Sequence, residues 1–296
     1  MLSFEGAVRL GCFGGVLAFM ALWEVLAPRR RPVVARPARW LSNLGLTAIN
    51  TAVVRLVAPL GAIGAALFAA ERGWGLLNNI SLPAWLAVLL AVVALDFVIY
   101  LQHVLFHFVP PLWRLHKVHH ADLDFDATTG VRFHTLEILL SLGLKAGTIL
   151  ALGAPASAVL AFEVLLNATS VFNHGNVRLP AWLDRTLRFL VVTPEMHRVH
   201  HSADDRRETN SNFGFSLPWW DCFFGTFRAQ LAAGHEGMTI GLAEVRDELV
   251  ADRLHWMLLL PFLNSGGSPP AERREGLSRL SPGPTEATEQ EPAAPV

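Results

Sequence analysis

Ten of the twelve histidines fall between His103 and His201, and eight of those ten form three tight groups. His103 and His107 stand four apart in His-Val-Leu-Phe-His. His116, His119 and His120 make His-Lys-Val-His-His, and His197, His200 and His201 make His-Arg-Val-His-His. On a helix, positions i, i+3 and i+4 share one face, so each triplet aims three imidazoles at one place and the pair aims two. At this histidine content a single His-x-x-His-His arises by chance in about 2% of chains of this length, and two of them with a nearby pair are far rarer. Imidazoles packed together without a metal leave ring nitrogens unpaired, at about 1–3 kcal/mol for each unsatisfied group. Coordination removes that cost. Imidazole suits zinc, iron, copper or nickel, and eight ligands exceed the roughly four to six that one such ion takes. The spacing therefore predicts two metals without choosing the element.

Other residues join this set as candidates. His174, in Phe-Asn-His-Gly-Asn, follows an apolar run and is expected as a further metal ligand. His134, in Arg-Phe-His-Thr-Leu-Glu, is open between a tenth ligand, a residue supporting the ligands and an interfacial anchor. Asp96 lies seven residues before His103, two helical turns down the same face, and is expected to accept an imidazole N–H and so fix a ligand's tautomer. Glu163, eleven before His174, is open between the same role and a place in a polar seam; ionisable groups inside apolar spans are generally functional. His235 and His255 read as ordinary structural histidines. Cys12 and Cys222 read as free thiols, too few for a thiolate iron–sulfur cluster.

The elements that must position these groups are apolar. Of 296 residues 52% are hydrophobic and only 17% charged, against about a quarter charged in soluble domains, which points to lipid as solvent. A net charge of -1 gives no basic footprint for nucleic acid. Apolar runs cover Ala7 to Ala27, Leu41 to Ala70, Leu82 to Phe106 and Leu136 to Val171, where about 20 helical residues suffice to span a bilayer. The basic cluster Arg29-Arg30-Arg31 follows the first run instead of preceding it, so that run reads as a retained span and not a signal peptide. The last run is long enough for a hairpin of two helices turning at Gly153-Ala154-Pro155. Pro110-Pro111 opens a short helix leading to His116, and Thr193-Pro194-Glu195 reads as N-cap, first-turn proline and first-turn acid ahead of His197. Trp219, Trp220, Phe223 and Phe224 suit a membrane–water boundary.

These signals predict an all-α fold: a multi-pass membrane helical bundle of about four to five spans with a cytoplasmic helical cap holding a His-rich dimetal site. Arg29, Arg30, Arg31, Arg36 and Arg39 between the first two spans assign that loop to the cytoplasm. Counting spans forward then puts every clustered histidine on the same side, of a bacterial inner membrane. The expected division is 1–80 for N-terminal spans, 81–230 for a catalytic domain, 231–263 for a cytoplasmic or interfacial segment, and 264–296 for a Pro/Glu/Ala/Thr-rich disordered tail.

Taken in order, the three histidine groups resemble those of the fatty acid hydroxylase / sterol desaturase superfamily. The connecting text is similar too: Asp124-Phe125-Asp126, Thr128-Thr129-Gly130, Arg132-Phe133-His134, Thr193 to His197, Asn212-Phe213-Gly214, and Trp220-Asp221 through Phe224-Gly225-Thr226. The resemblance covers about residues 85–230. It implies two iron ions, O2 as co-substrate and a lipid substrate, fatty acyl or sterol-like, that is hydroxylated or desaturated. Some relatives cleave ether lipids at the same site. It also implies electrons from a separate electron-donor protein and the metal-ligand role for His103, His107, His116, His119, His120, His197, His200 and His201, with His174 matching a further family histidine. Some members carry another histidine four residues earlier, where this chain has Ser170, leaving His134 or water for a tenth position. Zinc is an expected contaminant in purified protein. The contrasting class, a zinc transporter or sensor, needs histidines and acids spread through the span centres, whereas here most lie at one side.

Overall fold

The computed structural model describes residues 2–231 and 233–263; the expected disordered tail lies outside the described residues. The described residues form α-helices, short 3-10 turns and two isolated β-bridges. In chain order the helices are α1 Leu2–Leu26, α2 Arg36–Val57, α3 Gly61–Arg72, α4 Ala84–Phe108, α5 Pro110–His120, α6 Thr135–Leu152, α7 Ala156–Asn173, α8 Ala181–Leu187, α9 Pro194–His200, α10 Arg206–Thr209, α11 Trp219–Phe224, α12 Gly234–Gly237, α13 Glu248–Asp252 and α14 Leu254–Leu259.

Five segments are long and apolar enough to cross a membrane: Phe4–Leu26, Arg36–Arg72, Ala84–Phe108, Thr135–Leu152 and Ala156–Asn173. Their outward faces keep leucine and phenylalanine exposed, as at Leu22, Leu101, Leu105, Leu140, Leu144 and Leu165. Contiguous apolar surface on this scale is covered by lipid in a stable protein, and the chain is an integral membrane protein. The second segment, expected as one overlong run, is broken between α2 and α3. Pro59 has no N–H to continue the ladder, and Gly61 follows in the left-handed region at φ +54°.

Inside the bundle α3, α4, α6 and α7 meet over Ala62, Ala66, Ala91, Leu95, Ile99, Ile149, Ala158, Val159 and Phe162. The small alanines let helices approach where lipid gives no hydrophobic incentive to associate. At the end of the bundle far from the histidines, the chain after α3 packs on the turn between α6 and α7. Gly153 there has φ +66°, and a Cβ on it would lie 2.7 Å from the Trp74 carbonyl oxygen. The expected Gly-Ala-Pro turn is thus in place, and glycine is the residue that fits it.

The opposite end gathers the C-termini of α1, α4 and α7 and the N-termini of α2 and α6. A buried polar network ties it. Arg39 donates to Asp122 at 2.9 Å and also to Asp126, while Arg132 donates to Asp252 at 2.8 Å, to Asn43 at 3.2 Å and to the Val118 carbonyl at 2.8 Å. The Glu24 carboxylate, at the end of α1, accepts from the amides of Ala127 and Asn176. Breaking such a network leaves a buried charge uncompensated. The shorter helices α5 and α8–α14 are assembled at this end around the histidines.

Candidate metal centre

Each histidine group is delivered by its own element. His103 and His107 lie in the last two turns of α4. Val109-Pro110-Pro111 then ends α4 and starts α5, whose first-turn prolines need no N–H partner, and α5 carries His116, His119 and His120. In α9 the Thr193 side chain accepts from the Met196 amide at 3.3 Å and Pro194 occupies the first turn, which presents His197 and His200, with His201 as C-cap residue. His174 is the C-cap residue of α7.

These nine histidines converge and sort into two groups. His103, His107, His116, His120 and His200 form one; His119, His174, His197 and His201 form the other. Within each, one ring nitrogen per residue lies within 4.8 Å of all the others. The groups abut, His120 stacking on His201 with ring centroids 4.6 Å apart. Eight of the nine side chains are at most 2% exposed, and His107 is half-buried.

The nitrogens are arranged for coordination. Nε2 atoms approach one another at 3.0 Å between His103 and His116, and at 3.1 Å between His119 and His174 and between His174 and His197. Two nitrogens about 2.1 Å from one ion and at right angles to each other are about 3.0 Å apart. The Nε2 atoms of His107, His120, His200 and His201 are buried with no partner, so no Nε2 of the nine bonds outside the cluster. Meanwhile Nδ1 is held from behind in five of the nine, whereas in His119, His120, His197 and His201 it is buried with no hydrogen-bond partner. In His103 it donates to the Phe213 carbonyl at 2.7 Å, in His174 to Ser170 at 2.7 Å and in His200 to Ser211 at 2.7 Å. His107 Nδ1 meets Asn210 Oδ1 at 3.2 Å and His116 Nδ1 meets the Glu137 carboxylate at 2.7 Å. A donor bond at Nδ1 fixes the tautomer whose Nε2 lone pair points into the cluster. The donor set and its orphaned atoms fit two transition-metal ions.

Electrostatics agree with this geometry. Burial, reinforced by neighbouring imidazoles, holds His116, His119, His120, His197, His200 and His201 well below the ordinary histidine range. Burial lowers His174 to about 3. All are neutral at physiological pH, the form that binds metal.

The carbonyls behind His103 and His200 belong to the 211–215 segment. Asn212, at φ 52°, donates to the Met196 and Arg228 carbonyls at 2.9 and 2.8 Å, and the Asp221 carboxylate accepts from the Phe213 and Gly214 amides, both at 2.8 Å. The Asn-Phe-Gly and Trp-Asp motifs thus hold the segment that orients two of the rings.

Not every expected residue joins the cluster. His134 caps α6, its Nδ1 accepting from the Leu136 amide at 3.2 Å while Nε2 meets the Leu258 carbonyl at 3.2 Å. Asp96 does not serve an imidazole: its carboxylate accepts from Trp220 Nε1 at 2.9 Å and from the Leu217 amide at 3.3 Å, and Phe213 takes the His103 proton instead. Sharing a helix face gave Asp96 the right direction, but two turns are about 10 Å, beyond a carboxylate's reach. Glu163 lies in a polar seam, paired with Arg9 at 3.0 Å and Lys145 at 3.3 Å. His235 pairs with Glu195 at 2.9 Å, and His255 lies against Trp256. Cys12 and Cys222 are free. Glu137 was not singled out from the sequence, although an acid inside an apolar run carries the same signal that marked Asp96 and Glu163.

A cavity of about 390 Å³ runs between α1, α2, α4, α6 and α7 and reaches His103, His116 and Glu137. Near the histidines its wall is Ile99, Phe106, Phe133, Leu166 and Phe215.

A helical membrane bundle with nine inward-facing histidines at one end defines the class of protein as a histidine-cluster membrane protein. Residues 88–226, just under half of the chain, match the fatty acid hydroxylase family, which supports the resemblance of the histidine groups to the fatty acid hydroxylase / sterol desaturase superfamily. Among curated proteins it is similar to the ornithine lipid hydroxylase OlsE of Rhizobium tropici, at 28% identity over 71% of this chain and 64% of that one. It is also similar to the alkylglycerol monooxygenase of Homo sapiens, at 28% over 47% and 30% of the two chains. A third relative is the very-long-chain aldehyde decarbonylase GL1-7 of Oryza sativa subsp. japonica, at 24% over 59% and 29%. The chain spans less than two thirds of the length of these relatives. No solved structure matches it significantly.

Proposed function

We propose that this protein is an oxygen-dependent membrane lipid oxidase, a non-haem di-iron enzyme that hydroxylates or desaturates a fatty acyl or sterol-like substrate. The observation that carries the reading is the sorting of nine converging imidazoles, eight of them buried, into adjacent groups of five and four with no Nε2 bonded outside the cluster. His103, His107, His116, His120 and His200 would hold one iron and His119, His174, His197 and His201 the other. The names of the relatives, two of them oxygenating enzymes of lipids, favour iron over zinc. The gathering of histidines at one end, instead of along a path through the bundle, counts against ion transport.

When bound, two irons supply activation of O2 and abstraction of hydrogen from an unactivated C–H bond. The chain's own residues do the rest. Glu137 and the carbonyls of Phe213, Ser211 and Ser170 hold the rings of His116, His103, His200 and His174 in one tautomer and orientation, which keeps these four donors in place when the metal charge changes. His103 and His116 belong both to the first group and to the cavity wall, so a substrate in the cavity meets that group first. Ile99, Phe106, Phe133 and Phe215 give an apolar channel that places an acyl chain and excludes water. Reducing equivalents come from a separate electron-donor protein. The Arg29–Arg39 cluster between α1 and α2 lies at the histidine end, which supports a cytoplasmic metal site in a bacterial inner membrane.

The test is metal content with oxygen uptake on protein purified in detergent after iron supplementation. About two irons per chain, with lipid-stimulated oxygen uptake lost in both His119→Ala and His200→Ala, one from each group, is the expected result. No bound metal, or activity-neutral histidine variants after iron reconstitution, would overturn it.

A further inference from the structure

The cavity changes character away from the histidines. Its wall carries Lys145 and Glu163 at about the middle of α6 and α7, Arg9 of α1 beside Glu163, and the exposed Arg55 in the last turn of α2. Charged side chains inside membrane spans are costly and persist where they pair or line a polar cavity. Here pairing is incomplete. Arg9 bonds Glu5 and Glu163, each at 3.0 Å, and Lys145 bonds Glu163 at 3.3 Å. Arg55 has only the Pro59 carbonyl, at 3.3 Å, and no carboxylate among the described residues. Three cations against Glu5 and Glu163 leave one positive charge, that of Arg55, in excess along this part of the wall.

We propose that this cluster is a head-group subsite for an amphiphile with a single acidic head, a carboxylate or phosphate, whose hydrocarbon runs toward His103 and His116. An acid is the complement of the unpaired Arg55 guanidinium, and the apolar wall nearer the histidines accommodates the chain. The inference rests on the oxidase reading above and adds a distance to it. Glu137 and Lys145 face the same cavity eight residues apart on α6, about 12 Å. An extended chain advances about 1.2 Å per bond, so for an acid held between Arg55 and Lys145 at the level of Lys145 the carbon beside His116 lies roughly ten bonds away.

Binding of short amphiphiles to the full-length protein in a nonionic detergent, followed by isothermal titration, tests this without turnover. The probes are dodecanoate, dodecyl phosphate, dodecanol and dodecyltrimethylammonium. The expected result is that one or both acids bind at least about tenfold tighter than dodecanol and the ammonium, the stronger acid naming the head group. Arg55→Gln, at an exposed position whose loss the fold tolerates, removes that advantage. Arg55→Lys keeps most of it, and Arg185→Gln, an exposed charge on α8, leaves it intact. Equal binding of dodecanol and the acids, or unchanged acid binding in Arg55→Gln, overturns the subsite. Lipid-stimulated oxygen uptake in the same preparation separates the two ideas: uptake without acid preference sinks the subsite alone, and acid preference without uptake supports the subsite while sinking the oxidase.

Discussion

Nine histidines share one cluster, yet their supports differ in kind. His103, His174 and His200 lean on peptide carbonyls, which no side-chain substitution removes directly. His116 leans on Glu137 at 2.7 Å, a carboxylate 3% exposed, and Glu137 is the acid that touches a clustered ring. A carboxylate behind an imidazole raises its basicity and fixes its rotation. Glu137→Gln keeps the shape and an acceptor oxygen but removes the charge. It is expected to weaken metal retention by about 10–100-fold, the range for such supporting groups, read by competition with a chelator. Asp96→Asn provides the contrast. Asp96 serves Trp220 and Leu217, so its loss should lower thermal stability by about 1–3 kcal/mol while metal content stays at the wild-type level. Metal loss in Asp96→Asn with full retention in Glu137→Gln would reverse these assignments.

Among the elements, α9 is the most exposed to a local fault, because seven residues carry His197 and His200 and hand on to His201. A helix so short has little intrinsic stability and depends on its cap and its packing. Thr193→Ala removes the hydroxyl that accepts from Met196 and donates to Asp184 at 2.6 Å, an effect of about 1 kcal/mol. Reduced metal occupancy of the His119, His174, His197, His201 group, with the other group less affected, is the expected outcome. Equal loss from both groups would mean that α9 does not act through its cap. The start of α9 was legible in Thr193-Pro194-Glu195 because capping is a local property of the chain. The histidine triplets and apolar spans were legible for the same reason, being written in spacings of three, four and about twenty. The partners of the rings were not. Phe213 lies 110 positions from His103 and Glu137 lies 21 from His116, distances that packing sets and periodicity does not encode. Asp96 shows the limit of the face argument: it gave a direction, while reach depended on where Trp220 and the 211–217 segment came to rest. The break at Pro59 was hidden inside an unbroken hydropathy signal.

At the scale of the molecule, the cluster joins folding, protonation and metal. The seven clustered histidines outside the spanning segments are held neutral by burial, with native pKa values below that of an unfolded histidine, about 6.5. Between the native and unfolded values the unfolded chain binds more protons, so stability rises with pH there and falls as pH drops below about 6.5. Each such histidine contributes a slope of up to about 1.4 kcal/mol per pH unit, and above about pH 7.5 the effect vanishes because both states are neutral. Metal-stripped protein in detergent should therefore lose thermal stability steeply from pH 7 to pH 5.5. Metal binds the native donor set and not the unfolded chain, so reconstitution should raise Tm at pH 7.5 by mass action. That gain should shrink on acidification, as protons compete for the same nitrogens. A metal-stripped Tm that stays flat from pH 7.5 to 5.5 would mean that the rings are already charged or solvated in the native state. The convergence of neutral Nε2 lone pairs on which the metal reading depends would fail with it.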